Sequence, residues 1–461
     1  MIGGHSDSEK AVWSPSGRTV LLTNTYLPLG GVDPAERSRR AQACAAAVIR
    51  ISSGESKCVV YSRSAGSRVN NPWIVFDAAF GKTDEDVRLR LRWYTAERTE
   101  HYQYRGGHWE PVDARGTPGE HGAPPAPLQV VLKQDLNLPP ALWAIDAVTG
   151  KSKKLWDPNP ELSAMTLGEA SVYHWKDSTG NDWSASLIKP VGYEMGQRYP
   201  LIIQTHGFHN EHEFITDGAF TTAFAARPLA SAGFMVLETR DRHDHDGTSE
   251  EAPNMVRGFE SAIDALNADG LIDVSKVGII GFSRTCYYTE SALIHAPQRY
   301  AAAVMADGVD ESYMTYLLWG EGREVREQEA IYGTSPFGEG IKKWVEGAPG
   351  FSLNRVQSPL LIQAITAPSI LQEWEIYASL RLQKKPVEMI YIPEGQHILQ
   401  KPLERLASQE GTVEWFRFWL QGYEDPNQEK AEQYRRWEKL CDMQVSQNPN
   451  QPSFCVRTKT H

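Results

Sequence analysis

A glycine-serine turn, Gly281-Phe282-Ser283-Arg284-Thr285, stands between an apolar run, Val277-Gly278-Ile279-Ile280, and a stretch with helical character from Thr285 to His295. Strand, sharp turn and helix in that order expose a serine hydroxyl at the end of a strand. A hydroxyl is a weak nucleophile at neutral pH. The turn therefore has chemical meaning only where a histidine and an acid follow it and donors for an oxyanion are at hand. The chain supplies candidates for each.

At 461 residues two domains are expected, and a hydrophobic content of 41% is enough for a sizeable core. With 47 basic and 58 acidic residues the formal charge is −11, and no long Lys/Arg cluster interrupts it. An extended phosphate backbone finds no basic surface here, which excludes nucleic acid as a partner. No run of about 18 apolar residues is present, so no membrane-spanning helix is expected. The polar start, Met1 to Lys10, does not read as a signal peptide. As written the chain reads as cytoplasmic, and as periplasmic if its start is internal to a longer chain. The five cysteines, Cys44, Cys58, Cys286, Cys441 and Cys455, are an odd number without a C-x-x-C spacing, which argues against a zinc knuckle or a disulfide framework.

Residues 1–160 are rich in short strand-like runs separated by turns. Trp13-Ser14-Pro15-Ser16-Gly17 precedes the run Thr19 to Leu22, and Ile51 to Lys57 separates two apolar runs as a hairpin would. A similar hairpin recurs at Ile145 to Trp156, sharing the pattern of Gly54-Glu55-Ser56-Lys57 in Gly150-Lys151-Ser152-Lys153. Such repetition suggests propeller blades, of which about three and a half fit at roughly 40–45 residues each, so a partial β-propeller-like domain is expected. The Pro/Gly-rich stretch Gly106 to Pro127 reads as a loop.

Residues 161–425 change rhythm to strands alternating with helices. Apolar runs at 172–175, 183–188, 201–204, 234–237, 277–280, 301–305, 360–365 and 387–392 are candidate strands. Helical patterns fall between them at 220–232, 252–268 and 372–382. This predicts an α/β fold with a mostly parallel, doubly wound sheet, whose ligands sit at the carboxyl ends of the strands. An aromatic-rich insertion, 307–350, is explained by packing or by a lid. The last segment, 426–461, carries an amphipathic helical pattern from Gln428 to Leu440.

Within this frame Ser283 is the nucleophile, with Gly281 two residues before it and Thr285 where a second glycine is usual. His397, in Ile392-Pro393-Glu394-Gly395-Gln396-His397 just after the last strand, is the general base, alone of 13 histidines in being so placed. The loop after the 360–365 strand, where an aspartate is expected, reads Thr366-Ala367-Pro368-Ser369 and has no carboxylate. The nearest acids are Glu373, Glu375 and Glu394. Glu373 is preferred and Glu375 follows, although a first-turn glutamate is also explained by the helix dipole. For the oxyanion, Thr205-His206-Gly207-Phe208 offers backbone donors from His206, Gly207 and Phe208, and the amide after the nucleophile, that of Arg284, supplies another. The Arg284 side chain either binds a substrate carboxylate or pairs with an acid. The histidines His206, His209, His212, His243 and His245 match no zinc spacing, and neither metal nor cofactor is expected.

The stretch from Phe259 through Gly270-Leu271-Ile272-Asp273 to Gly281-Phe282-Ser283, together with Lys385-Pro386-Val387 through Glu394-Gly395-Gln396-His397, resembles the prolyl oligopeptidase family of serine peptidases. The resemblance implies an α/β-hydrolase joined to an N-terminal β-propeller that screens peptide substrates. Gln372-Glu373-Trp374-Glu375-Ile376-Tyr377-Ala378-Ser379-Leu380, the Gln396-His397-Ile398-Leu399 ending and the Ser283-Arg284-Thr285 elbow look like the lasso peptide isopeptidase branch. That branch opens the macrocycle of threaded peptides and uses a glutamate as its triad acid, which implies Glu373 or Glu375 here. General peptidase activity and a catalytically inactive peptide-binding homologue are the alternatives.

Overall fold

The computed structural model describes residues 10–25, 27–40, 44–61, 74–93, 96–112, 128–217, 220–240, 242–309, 311–320, 322–447 and 455. From residue 113 onward the loop read at 106–127 lies outside the described residues, as do residues 1–9 of the polar start. The chain divides into two compact units, Met1–Pro124 and Pro125–His461.

Among the described residues, the first unit holds two four-stranded antiparallel sheets, β1 (Ala11–Trp13), β2 (Thr19–Thr25), β3 (Cys44–Arg50) and β4 (Ser56–Tyr61), then β5 (Ile74–Phe80), β6 (Asp86–Trp93), β7 (Ala96–Arg105) and β8 (His108–Val112), with one helix, α1 (Pro34–Arg40). Period-two alternation explains the pairing: along β2 the residues Thr19, Leu21 and Thr23 are buried and those between them are less so. Leu21, Ala46, Val75, Leu89 and Tyr102 form its core. The Trp13–Gly17 turn has a tie of its own, because Asp84 accepts from the Ser14 hydroxyl at 2.9 Å and from the Ser16 amide at 3.2 Å.

Contrary to the expectation from cysteine count, four of the five cysteines pair. Cys44 is bonded to Cys58 across the β3/β4 hairpin, where the register is irregular between Cys44 and Ala47, and Cys441 is bonded to Cys455. Counting could not find them, because the partners are brought together by strand register and by a helix end, not by a spacing motif.

The second unit begins with a three-stranded antiparallel sheet, β9 (Leu128–Lys133), β10 (Ala141–Asp146) and β11 (Ser152–Trp156). The sequence pattern puts the domain boundary at 160, but this sheet belongs to the second unit, where the Asn137 side chain exchanges two 2.8 Å hydrogen bonds with the Ala170 backbone.

The main sheet has eight strands: β12 (Ala170–Lys176), β13 (Asp182–Ile188), β14 (Tyr199–Gln204), β15 (Met235–Thr239), β16 (Ile272–Phe282), β17 (Ala302–Ala306), β18 (Leu360–Ala364) and β19 (Val387–Tyr391). Each falls on one of the apolar runs of the sequence. Their order is β12-β13-β15-β14-β16-β17-β18-β19, antiparallel at the β12/β13 and β13/β15 pairs and parallel elsewhere. The central strands β14 to β18 are nearly continuous apolar runs because helices cover both faces. The helices described in this unit are α2 (Ala226–Ser231), α3 (Glu251–Ala268), α4 (Thr285–His295), α5 (Tyr313–Trp319), α6 (Arg323–Tyr332), α7 (Ile341–Gly347), α8 (Ala367–Leu382), α9 (Pro402–Phe416) and α10 (Ala431–Gln447). The insertion read at 307–350 builds α5 to α7 around a small core of Tyr316, Ile331, Tyr332 and Trp344. The C-terminal pattern becomes α10, which buries Tyr434, Trp437 and Leu440 in the same cluster as Trp415 and Phe418. Burial of such side chains is worth roughly 1.5–3 kcal/mol each, enough to dock the helix.

Two helices differ from the sequence pattern, and both differences matter at the site. The pattern at 220–232 becomes a helix only from Ala226, because side chains take the upstream amides: Ala223 donates to Ser408 Oγ at 2.8 Å and Ala225 to Gln204 Oε1 at 2.9 Å. The pattern at 372–382 instead starts at Ala367, where the Thr366 hydroxyl caps the Ser369 amide and Pro368 fits the first turn. Glu373 is therefore in the second turn of α8, not the first.

Order reverses at β14: the chain passes from β14 to β15 on one side, then returns through α3 to β16 on the other. The crevice at the carboxyl ends of β14 and β16 is thus the place where a doubly wound sheet binds its ligand.

One buried charge in this sheet has a measurable consequence. Glu238 on β15 is fully buried, and burial, reinforced by Asp217 and opposed by Arg227, pushes its carboxyl well above the usual range. The native state thus keeps a proton that the unfolded chain releases, so the contribution is present at low pH and is lost as pH rises. Glu238→Gln removes the titration at nearly constant shape. Its melting temperature should gain on wild type as pH is raised from about 5 to about 8, and a difference independent of pH would refute this.

Candidate active site

Ser283 follows the last residue of β16 with φ at 54°, a left-handed conformation that is uncommon for a side chain with a Cβ. The strain turns the chain from β16 straight into α4 and leaves the hydroxyl projecting. Gly281 permits the turn, because a Cβ there would lie 2.6 Å from Thr289 Oγ1 and 2.9 Å from the Thr285 carbonyl oxygen. Thr285, which stands where a glycine is usual, serves as a tie: its Oγ1 accepts from the Phe282 amide at 3.0 Å and lies 2.6 Å from the Thr205 hydroxyl at the end of β14.

His397 and Ser283 come together, with His397 Nε2 at 2.8 Å from Ser283 Oγ. The imidazole stacks on the buried Phe282 ring at a centroid distance of 4.6 Å. Its loop is pinned by Thr222, whose hydroxyl donates to the His397 carbonyl at 2.9 Å and accepts from the Leu399 amide at 3.1 Å. Thr222 lies just before the late start of α2 at Ala226.

The acid is not the one the sequence suggested. Asp307 Oδ2 lies 2.5 Å from His397 Nδ1, on the first residue after β17, and its side chain is buried. Glu373 instead accepts from the Gly308 amide at 2.6 Å, and Glu375 from the Met314 amide at 2.8 Å. Glu373 thus faces the loop after β17, and Glu375 faces the first turn of α5. Glu394 is exposed beside Lys401. The signal missed was Asp307-Gly308 at the end of the apolar run 301–305, one strand before the expected position.

Of the two roles the sequence leaves open for Arg284, the structure shows the pairing with acids. Its guanidinium forms a fork on Glu251, at 2.7 and 2.8 Å, and a second ion pair to Glu311. Burial works against its charge, but Glu251 outweighs this and raises its pKa. Burial likewise would raise the Glu251 carboxyl, yet the Arg284 pair and the Tyr288 hydroxyl hold it below the usual range. The side chain pairs with acids, and its backbone amide stands at the N-terminus of α4, where N–H groups lack intrahelical partners.

Of the oxyanion candidates on the loop after β14, Phe208 is corrected: its amide donates to the Thr239 carbonyl at 3.2 Å and its ring is buried. His206 packs against Phe220 and Phe224. Gly207 has φ at 119°, open only to glycine, and sits beside the elbow strand. A cavity of about 620 Å³ adjoins these residues, lined by His206, Arg242, His243, Glu251, Arg284 and Arg326 among others.

A doubly wound sheet with a serine on the elbow after β16, a histidine after β19 and an acid between them defines the α/β-hydrolase class. Residues 241–423 match the model of the prolyl oligopeptidase family. The lasso peptide isopeptidase AtxE2 of Asticcacaulis excentricus is 29% identical over 320 residues, covering 66% of this chain and 45% of that protein. A solved structure of the AtxE2 isopeptidase with Astexin3 bound superposes with a TM-score of 0.60 at 23% identity, over 94% of this chain and 65% of the other. The acylaminoacyl peptidase of Pyrococcus horikoshii gives 0.54 at 18% identity, over 89% of this chain and 63% of the other. The resemblance to the prolyl oligopeptidase family, and within it to the lasso peptide isopeptidases, is thereby shown. The chain spans less than half the length of the first curated relative it matches.

The elbow itself is testable. Gly281→Ala forces a methyl group onto Thr289 and the α4 backbone. We expect a loss of about 1–3 kcal/mol in urea denaturation, as for other overpacked sites, with slower fluorophosphonate labelling of Ser283. Unchanged stability and labelling together would mean that α4 does not approach β16 this closely.

Proposed function

We propose that the chain is a serine hydrolase that cleaves the isopeptide bond of a lasso peptide and releases the linear peptide. The observation that carries the chemistry is the continuous hydrogen-bonded relay Ser283–His397–Asp307. Similarity to AtxE2 supports the substrate class. An isopeptide between a chain-start amine and an Asp or Glu side chain is an ordinary amide to this site.

In this reading Ser283 Oγ attacks the amide carbonyl while His397 Nε2 takes its proton, and Asp307 holds the ring and stabilises the imidazolium. Charge developing on the carbonyl oxygen meets the backbone amides of Arg284 and Gly207. The imidazolium then protonates the departing amine, and water, activated by the same histidine, attacks the ester to give the carboxylic acid and free Ser283. The two four-stranded antiparallel sheets of the first unit are of the kind that makes propeller blades, which supports a partial propeller joined to the hydrolase.

Fluorophosphonate should label the intact chain, and Ser283→Ala and His397→Ala should abolish it. Asp307→Asn should cost on the order of 10⁴-fold in kcat, the cost of a mis-set imidazole. Incubation with threaded and linear peptides, followed by mass spectrometry, tests the substrate. Gain of one water by the threaded peptide without fragmentation is expected. Cleavage of linear peptides alone would replace this reading with general peptidase activity, and absence of labelling would replace it with a binding role.

A further inference from the structure

Glu373, fully buried on α8, stands one residue away from the role its sequence position suggested. Resting on the relay above, we propose that Glu373 is a positioning residue: it holds the Asp307 carboxylate against His397 by fixing the loop that carries it.

Three successive amides of that loop are anchored. Asp307 donates to the Gln363 carbonyl at 3.0 Å, Gly308 to Glu373 Oε1 at 2.6 Å, and Val309 to the Ser283 carbonyl at 3.0 Å. The outer two anchors are backbone carbonyls, which any sequence would supply. The middle one is a side chain, and it sits next to a residue under strain, since Asp307 has φ at 46°. A non-glycine residue keeps such a conformation only when its surroundings over-determine it. A short N–H to carboxylate bond is the kind of contact strong enough to do so.

Glu373 does not act on the imidazole itself. Nδ1 carries one hydrogen, and Asp307 Oδ2 already lies at hydrogen-bond distance from it. Without the acceptor on Glu373, the Gly308 amide is buried and unpaired, the φ strain is free to relax, and the Asp307 carboxylate turns away. Catalytic constellations tolerate only about 0.5 Å of such drift. The demand on Glu373 is for an acceptor at the right distance, not for a charge, so glutamine should substitute and leucine or aspartate should not.

The test is the rate of fluorophosphonate labelling of the full chain, followed over hours, for Glu373→Gln, Glu373→Leu and Glu373→Asp, each in wild-type and Asp307→Asn backgrounds. Thermal melting confirms which variants fold. Leucine and aspartate should slow labelling at least about tenfold and glutamine less than about threefold, and in the Asp307→Asn background all three should change it less than about twofold, as expected for residues acting as one unit. A cost that persists undiminished in the Asp307→Asn background overturns the proposal, because it would be structural. Equal damage from glutamine and leucine overturns it too. So does fast labelling of Asp307→Asn alongside inactive Glu373→Gln, which would make Glu373 the acid itself. Should Glu373→Leu fail to fold, Glu373→Asp decides. Labelling that survives Ser283→Ala would instead sink the relay, and is thereby told apart from failure of this inference.

Discussion

The site depends on the parallel register of β16, β17 and β18. Phe282 pairs with Ala306 and Ala306 with Gln363, so the three strands end side by side at the same level. Adjacent strands are about 4.8 Å apart, which brings the first residue after each within side-chain reach of its neighbours. Ser283 follows β16 and Asp307 follows β17. His397 arrives from beyond β19, on a loop whose Ile392 amide is bonded to the Ala364 carbonyl at 2.9 Å. An acid on the middle strand therefore reaches the imidazole as readily as one on the next. Loss of a carboxylate after β18 costs the relay nothing so long as the middle strand supplies one.

Strain concentrates on this edge of the main sheet. Ser283, Asp307, Glu311 and Glu394 all have positive φ, and each lies in a loop at the carboxyl ends of the strands. Such conformations persist only when several contacts fix them, and here hydroxyl groups supply many of those contacts. Thr285 ties the elbow to Thr205, and Thr222 ties the histidine loop from both sides. The polar residues buried under the site are thus its scaffold, which is why a threonine at 285 can replace a glycine without opening the turn.

How much of this was legible depends on the range of the interactions concerned. All eight strands of the sheet, α4 and the pairing of Ser283 with His397 could be read, because an apolar run between turns reports a buried strand locally and the chain order of nucleophile and base survives any loop length. Asp307 could not be read from the expected position, since the choice between two adjacent strand ends is made by lateral register, which no local pattern records. Glu373 was misplaced for a different reason: a cap at Thr366 starts α8 at Ala367, so Glu373 lies in the second turn, beside Gly308, and not at the start of the helix. Phe208 failed because its amide is bonded to β15, a partner distant in sequence. The disulfides failed because strand register and a helix end, not a spacing motif, bring their cysteines together.

Arg284 shows what buried charge contributes at such an edge. Glu251 accepts from Arg284, from the Tyr288 hydroxyl at 2.7 Å and from the Gly247 amide at 2.6 Å, while Arg284 also reaches Glu311. The network therefore joins the loop after β15, the elbow after β16 and the loop after β17. Desolvating these groups offsets most of what their attraction returns, so the network is weak evidence for stability. Its effect is geometric. A guanidinium fork has a rigid plane, and carboxylates on both sides leave it one orientation, which fixes the backbone of Arg284 and with it the amide next to Ser283. Replacing the network with apolar side chains would keep the burial and still let that amide drift, because the Thr285–Thr205 tie holds the elbow at one point whereas the guanidinium holds it from two sides.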